Sequence, residues 1–141
     1  MPLLDQVIEK YPKAVRVVFK NFPLKGHKYA REAALAALAA GAQGEFWEFH
    51  DLLFENVRRL STRKFREIAR ELGLDMTRFE KDMNDPRLAA AVRRDRSDGL
   101  RAGVRGTPTV FINGKRLHKR NLSGFQARIE KELYMARTRT R

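Results

Sequence analysis

Two short stretches of this chain read as apolar strands, and their placement limits the folds open to it. The first is "AVRVVF", Ala14–Phe19, β-branched and apolar enough to predict a strand buried on both faces. The second is "TVFIN", Thr109–Asn113, which Asn113-Gly114 turns back into "KRLHK" as a two-residue hairpin. Between the two, a loop "NFPLKG" leads into a block patterned as helix, and a second loop precedes "TVFIN". The order is therefore α-β, a helical block, then β-β-α, a two-layer sheet-and-helix architecture with the block set between its halves. At 141 residues the chain is long enough for one domain with a real core and short for two.

Helical spacing and end signals place the remaining elements. Leu3, Leu4, Val7, Ile8 and Tyr11 recur at helical intervals before Pro12 closes that run. An alanine-rich helix within "HKYAREAALAALAAGAQG" ends at Gly41 or Gly44, and "GEFWEFHDLLFENV" follows with Phe46, Phe49, Leu53 and Val57 on one stripe. Trp47 and Phe54 lie beside that stripe, and most of this aromatic content is expected in the core. Ser61 or Thr62 caps the next helix and Gly73 ends it; Asp75 opens a short one, and Asp85-Pro86 starts another that runs to Gly103. Ser123 is expected to cap a last helix carrying Phe125, Ile129 and Leu133, with a frayed tail "RTRTR". The helical insertion spans about residues 27–103 of a single domain covering 1–141.

Composition narrows the chemistry. With no cysteine, the chain can form no disulfide, thiolate metal site or thiol nucleophile. Thirty Lys and Arg against 17 Asp and Glu leave a formal charge of +13, which favours polyanions such as nucleic acid or anionic surfaces. The basic run Arg93–Arg120 is the candidate contact, although no aromatic interleaves its first part, Arg93–Arg105, for base stacking. A solvated helix face is the simpler account of that run. The longest apolar run, Ala33–Ala40, falls far short of the roughly 20 residues of a membrane span, so no membrane insertion is expected.

His27, His50 and His118 stand far apart without ligand-spaced partners, so no metal and no cofactor is expected. His50 on the aromatic helix reads as a hydrogen-bonded structural histidine. Glu45, Glu48 and Asp51 read as a solvated acidic edge rather than a general acid/base pair. No serine sits in a nucleophile elbow, and no glycine-rich phosphate loop occurs.

"VRVVFKNFPL", the following His27 and "AALAA", then "GEFWEFHDLLF", "ELGLD" and "GVRGTPTVFINGKRL" together resemble the DsbA-like branch of the thioredoxin fold. The resemblance covers Pro2 to Leu133. It implies a thioredoxin-like α/β fold with an inserted helical domain, and a family activity of thiol–disulfide exchange in protein folding. It also implies a cis Thr107-Pro108 bond, beside which the loop Arg105, Gly106, Thr107 and Pro108 binds an extended polypeptide by strand addition.

The departure from the family is as informative as the match. Members begin with an apolar strand and a Cys-x-x-Cys at the first helix, and here Met1 falls where that helix is already under way. Without a thiolate there is no exchange chemistry, so no catalytic residue is assigned and the chain is expected to be redox-inactive. In the family the first strand lies between those matching Val15–Phe19 and Thr109–Ile112, so its loss exposes two apolar edges. A second copy supplying the edge in a two-fold dimer disturbs the packing less than closing the gap, and a homodimer is the expected state. As written, with no signal peptide, the chain reads as cytoplasmic; a start lying upstream would move it to the periplasm. The alternative function is nucleic-acid binding through Arg93–Arg120.

Overall fold

The computed structural model describes residues 1–140, in two compact units. One comprises Met1–Phe19 and Gly106–Arg141; the other, a helical unit, comprises Lys20–Arg105 and contains the span expected as the insertion.

The first unit holds α1 (Pro2–Lys10), β1 (Val110–Ile112), β2 (Lys115–Leu117) and α7 (Leu122–Arg139). Pro2 suits the first turn of α1, where its missing N–H would have no helical partner. The strands pair antiparallel, with Val110 opposite Leu117, Phe111 opposite Arg116 and Ile112 opposite Lys115. Asn113 and Gly114 both take positive φ, 48° and 77°, as a tight turn between right-twisted strands demands. Val7, Leu117, Phe125 and Ile129 form the core, and Val15, Val110 and Ile112 pack against it. Across this unit Tyr11 donates its hydroxyl hydrogen to Glu130 Oε1 at 2.9 Å, and Lys115 Nζ reaches Glu132 at 2.8 Å.

Three expectations need correction here. Ala14–Phe19 is not a strand: Val15 onward has no regular secondary structure, no ladder forms, and Val18 is 64% exposed. A β-branched run holds sheet geometry only when a neighbour completes its hydrogen bonds, and among the described residues no segment pairs with it. The cap of α7 is Asn121, whose side chain accepts from Gly124 N; Ser123 instead donates its hydroxyl to Asn121. The tail expected to fray continues α7 as far as Arg139, while Arg141 lies outside the described residues.

The helical unit contains α2 (Ala30–Gly41), α3 (Phe46–Glu55), α4 (Thr62–Glu71), α5 (Met76–Met83) and α6 (Pro86–Arg101). Ser61, Asp75 and Asp85 cap α4, α5 and α6 by accepting backbone N–H groups. Ala36, Ala39 and Ala40 are fully buried, so α2 serves as a narrow central rod against which the other helices close. Phe49, Phe65, Ile68 and Phe79 fill the remaining core. Part of the aromatic helix departs from expectation. Phe49 and Leu53 are buried, but Trp47, Phe54 and Val57 are 42%, 58% and 58% exposed. The α2 contact surface takes one stripe of α3 and Trp47 and Phe54 lie beyond that stripe, while Val57 lies past the end of the helix.

Lys20–Phe22 is pinned to α6. Asp95 Oδ2 accepts from Asn21 N at 2.9 Å and from Asn21 Nδ2 at 3.0 Å, and Lys20 lies 3.4 Å from the other carboxylate oxygen. The Arg96 guanidinium stands 5.6 Å from the Phe22 ring centre. A Cβ added to Gly99 would lie 2.8 Å from that ring, so Phe22 packs where only glycine leaves space.

Candidate functional site

The loop Gly106–Pro108 is a bend between the helical unit and β1, with Thr107 and Pro108 exposed. The Thr107-Pro108 peptide bond is cis. Two side chains fasten the carbonyls on either side of Thr107. Thr109 Oγ1 donates to the Gly106 carbonyl at 2.7 Å, and Arg120 Nη1 donates to the Pro108 carbonyl. Among the described residues the Thr107 N–H and C=O have no partner. This stretch of backbone is thus held in place at its flanks and open in its middle, the requirement for strand addition by an extended peptide.

Of the four residues singled out from sequence, Gly106, Thr107 and Pro108 make up this bend. Arg105 is exposed and is the last residue of the helical unit. Sequence reading gives neither Thr109 nor Arg120 a part in this loop; Arg120 figures there only as the end of the basic run. A hydroxyl two residues after Thr107 and a cation beyond the return strand are the signals that could have marked them. The loop contains no acid, base or nucleophile.

The basic run Arg93–Arg120 is divided between the two units. In its α6 portion Arg101 pairs with Asp98 and Arg96 covers Phe22, leaving Arg93 and Arg94 as exposed cations. Beyond β1, Arg116, His118, Lys119 and Arg120 are exposed. Phe111, 38% exposed, stands opposite Arg116 on the hairpin face away from the core.

His50 is buried, and its Nδ1 lies 3.0 Å from Asp51 Oδ1. Rings surround it: the centroids of Trp47 and Phe54 are 5.4 and 4.8 Å away. No three groups of metal-ligating type come together among the described residues. The helical unit also has a cleft of about 350 Å³, whose lining includes Arg31, Glu32, Arg66 and Glu80. Arg66 forks onto both oxygens of Glu80, and Glu32 accepts from the Thr62 hydroxyl, so Glu32, Arg66 and Glu80 are occupied in joining helices. The Glu80 hydrogen bond holds the Arg66 guanidinium above its ordinary range. The cleft is a helix junction rather than a reaction centre.

Comparison with known proteins places this geometry. The family described as Thioredoxin matches residues 2–131. The chain belongs to the thioredoxin family. A crystal structure of a thioredoxin-like oxidoreductase from Silicibacter pomeroyi DSS-3 superposes with a TM-score of 0.79 at 25% identity, covering 95% of this chain and 77% of that one. The thioredoxin-like fold inferred from the motifs is thereby shown, in a member without the Cys-x-x-Cys pair.

Two curated relatives carry a different name. A Na(+)/H(+) antiporter NhaA 3 of Salinispora tropica is 36% identical over 98% of this chain. A Na(+)/H(+) antiporter NhaA 1 of Salinispora arenicola is 42% identical over 74% of it. The chain spans only 21% and 16% of those proteins. Among the described residues no helix of this thioredoxin-family chain is long and apolar enough to cross a membrane.

Proposed function

We propose that this chain is a thioredoxin-family polypeptide-binding module without redox chemistry of its own. The loop Gly106–Pro108 is its contact with an extended substrate strand. The observation that carries this reading is the open Thr107 backbone, clamped on both sides by Thr109 and Arg120. Main-chain hydrogen bonds supply affinity in strand addition and ask little of the substrate's sequence, so the partner class is unfolded or extended polypeptide. A thiol exchange step would need a thiolate, and the chain has none. The loop can hold a substrate strand but cannot attack a disulfide.

The long antiporter-named relatives fit a module that works beside other domains, since the matching region is about a fifth of the longer of the two alignments' proteins. Cation transport is not carried over to this chain.

Fluorescence anisotropy with a labelled, carboxymethylated unfolded polypeptide tests the reading. Saturable binding is expected, weakened about tenfold by Thr107→Pro, which removes the N–H offered to the substrate. Binding unaffected by that substitution in a folded variant, shown by circular dichroism, would overturn the assignment of the loop.

A further inference from the structure

We infer that the unit built on α1, β1, β2 and α7 accepts an apolar β-strand in trans, and that the strand it takes carries acidic residues at its ends. This place is separate from the Thr107 contact.

The free edge of β1 follows from the hairpin register. The two-residue turn makes Ile112 and Lys115 the hydrogen-bonded pair that closes it. Pairs alternate in an antiparallel ladder, so Phe111 and Arg116 form a non-hydrogen-bonded pair, and the Phe111 N–H and C=O point away from β2. Among the described residues the sheet has two strands, and no backbone group there receives them. On the other side, the backbone groups of Arg16, Val17 and Val18 form no hydrogen bond among the described residues, although this segment is rich in valine. Val15 from one flank and Val110 and Ile112 from the other pack on the same core cluster. Two stretches with unpaired backbone groups therefore border one apolar surface. An added strand of about five residues, roughly 17 Å long, would pair with β1 and could be joined by residues 16–18 on its far side.

Charge selects the occupant. Met1–Phe19 and Gly106–Arg141 carry twelve Lys and Arg against four Asp and Glu, a net +8. Lys13 and Arg16 lie before and within the valine-rich segment, and Arg116, Lys119 and Arg120 lie in and just after the hairpin, all exposed. A second copy, the occupant expected from sequence, would bring the same eight positive charges to its own image. An apolar strand bounded by glutamate or aspartate meets them with the opposite sign.

The probe is a labelled peptide with a core of alternating valine and threonine between pairs of glutamates. The same core between lysines and an N-methylated version serve as controls. Anisotropy with the full chain should show saturable binding, at least about tenfold tighter for the glutamate peptide at low salt, with the gap narrowing as salt rises. N-methylation of the core should abolish it. Val17→Pro and Val18→Pro remove N–H groups that the free protein leaves unpaired, so thermal stability should hold. The one whose N–H faces the incoming strand should weaken binding about tenfold. Sedimentation should show a monomer. Four results would each overturn the inference: no saturable binding; indifference to flanking charge or N-methylation; wild-type affinity in both proline variants; or a dimer that the peptide does not dissociate. The Thr107→Pro variant should still take this peptide, which separates failure here from failure of the loop assignment.

Discussion

Replacing Gly124 with alanine would place a Cβ 1.9 Å from the Lys119 carbonyl oxygen and 2.9 Å from the Lys119 Cβ. Carbon and carbonyl oxygen approach comfortably to roughly 3.3 Å, so α7 and the preceding segment must part by about 1.4 Å. The obstacle is backbone, which cannot swing aside as a side chain would. Alanine's advantage over glycine in a helix is at most about 1 kcal/mol and works in the opposite direction. Against it stand roughly 1–3 kcal/mol for the overpacked contact and about 1 kcal/mol for the Asn121 cap. In that cap Asn121 Oδ1 accepts from Gly124 N at 2.9 Å, a hydrogen bond that the shift would break. The net expectation is a loss of roughly 2 kcal/mol. Urea denaturation followed by circular dichroism measures it. Gly26→Ala is the control, because nothing lies within 4 Å of its added Cβ. A Gly124→Ala protein as stable as the parent would refute the reasoning, since it would mean the β2–α7 connection gives way freely.

Asp95→Ala should cost about 1–3 kcal/mol in the same assay, because buried Asn21 loses the acceptor of both its backbone and side-chain donors. Stability should fall on acidification. The Lys115 hydrogen bond holds the Glu132 carboxyl below its ordinary 4.5, and the Lys64 hydrogen bond does the same for Glu67. A depressed carboxyl contributes stability above its unfolded value and loses it as pH drops through the folded one, so melting temperature should decline below about pH 4.5. Glu132→Gln should flatten part of that decline, and an unchanged profile would argue against the Lys115 pair. In an insulin-reduction assay the purified chain should not exceed a buffer control, and real turnover would contradict the argument from its missing cysteines.

Much of this protein was legible in the residues because the signals are local. Ser61, Asp75 and Asp85 cap their helices through hydrogen bonds spanning two or three residues. Asn113-Gly114 forms its turn because both backbones tolerate positive φ. The absence of thiol chemistry is a matter of composition alone, and the ordered motifs from "VRVVF" to "GTPTVFING" carried the thioredoxin-like fold. The tertiary structure decided whatever depends on a distant partner. Val15–Phe19 has strand composition, yet a ladder needs a neighbour, and within this chain none is there. Trp47 and Phe54 have core composition, yet α2 covers only one stripe of α3. Asn121 rather than Ser123 caps α7 because the close approach of Lys119 to Gly124 sets where that helix begins. Arg120 reads in sequence as one cation among many, and only the return of the chain past β2 lays its guanidinium on the Pro108 carbonyl. Short-range hydrogen bonding and backbone freedom are written residue by residue; burial and pairing are properties of what the rest of the chain brings alongside.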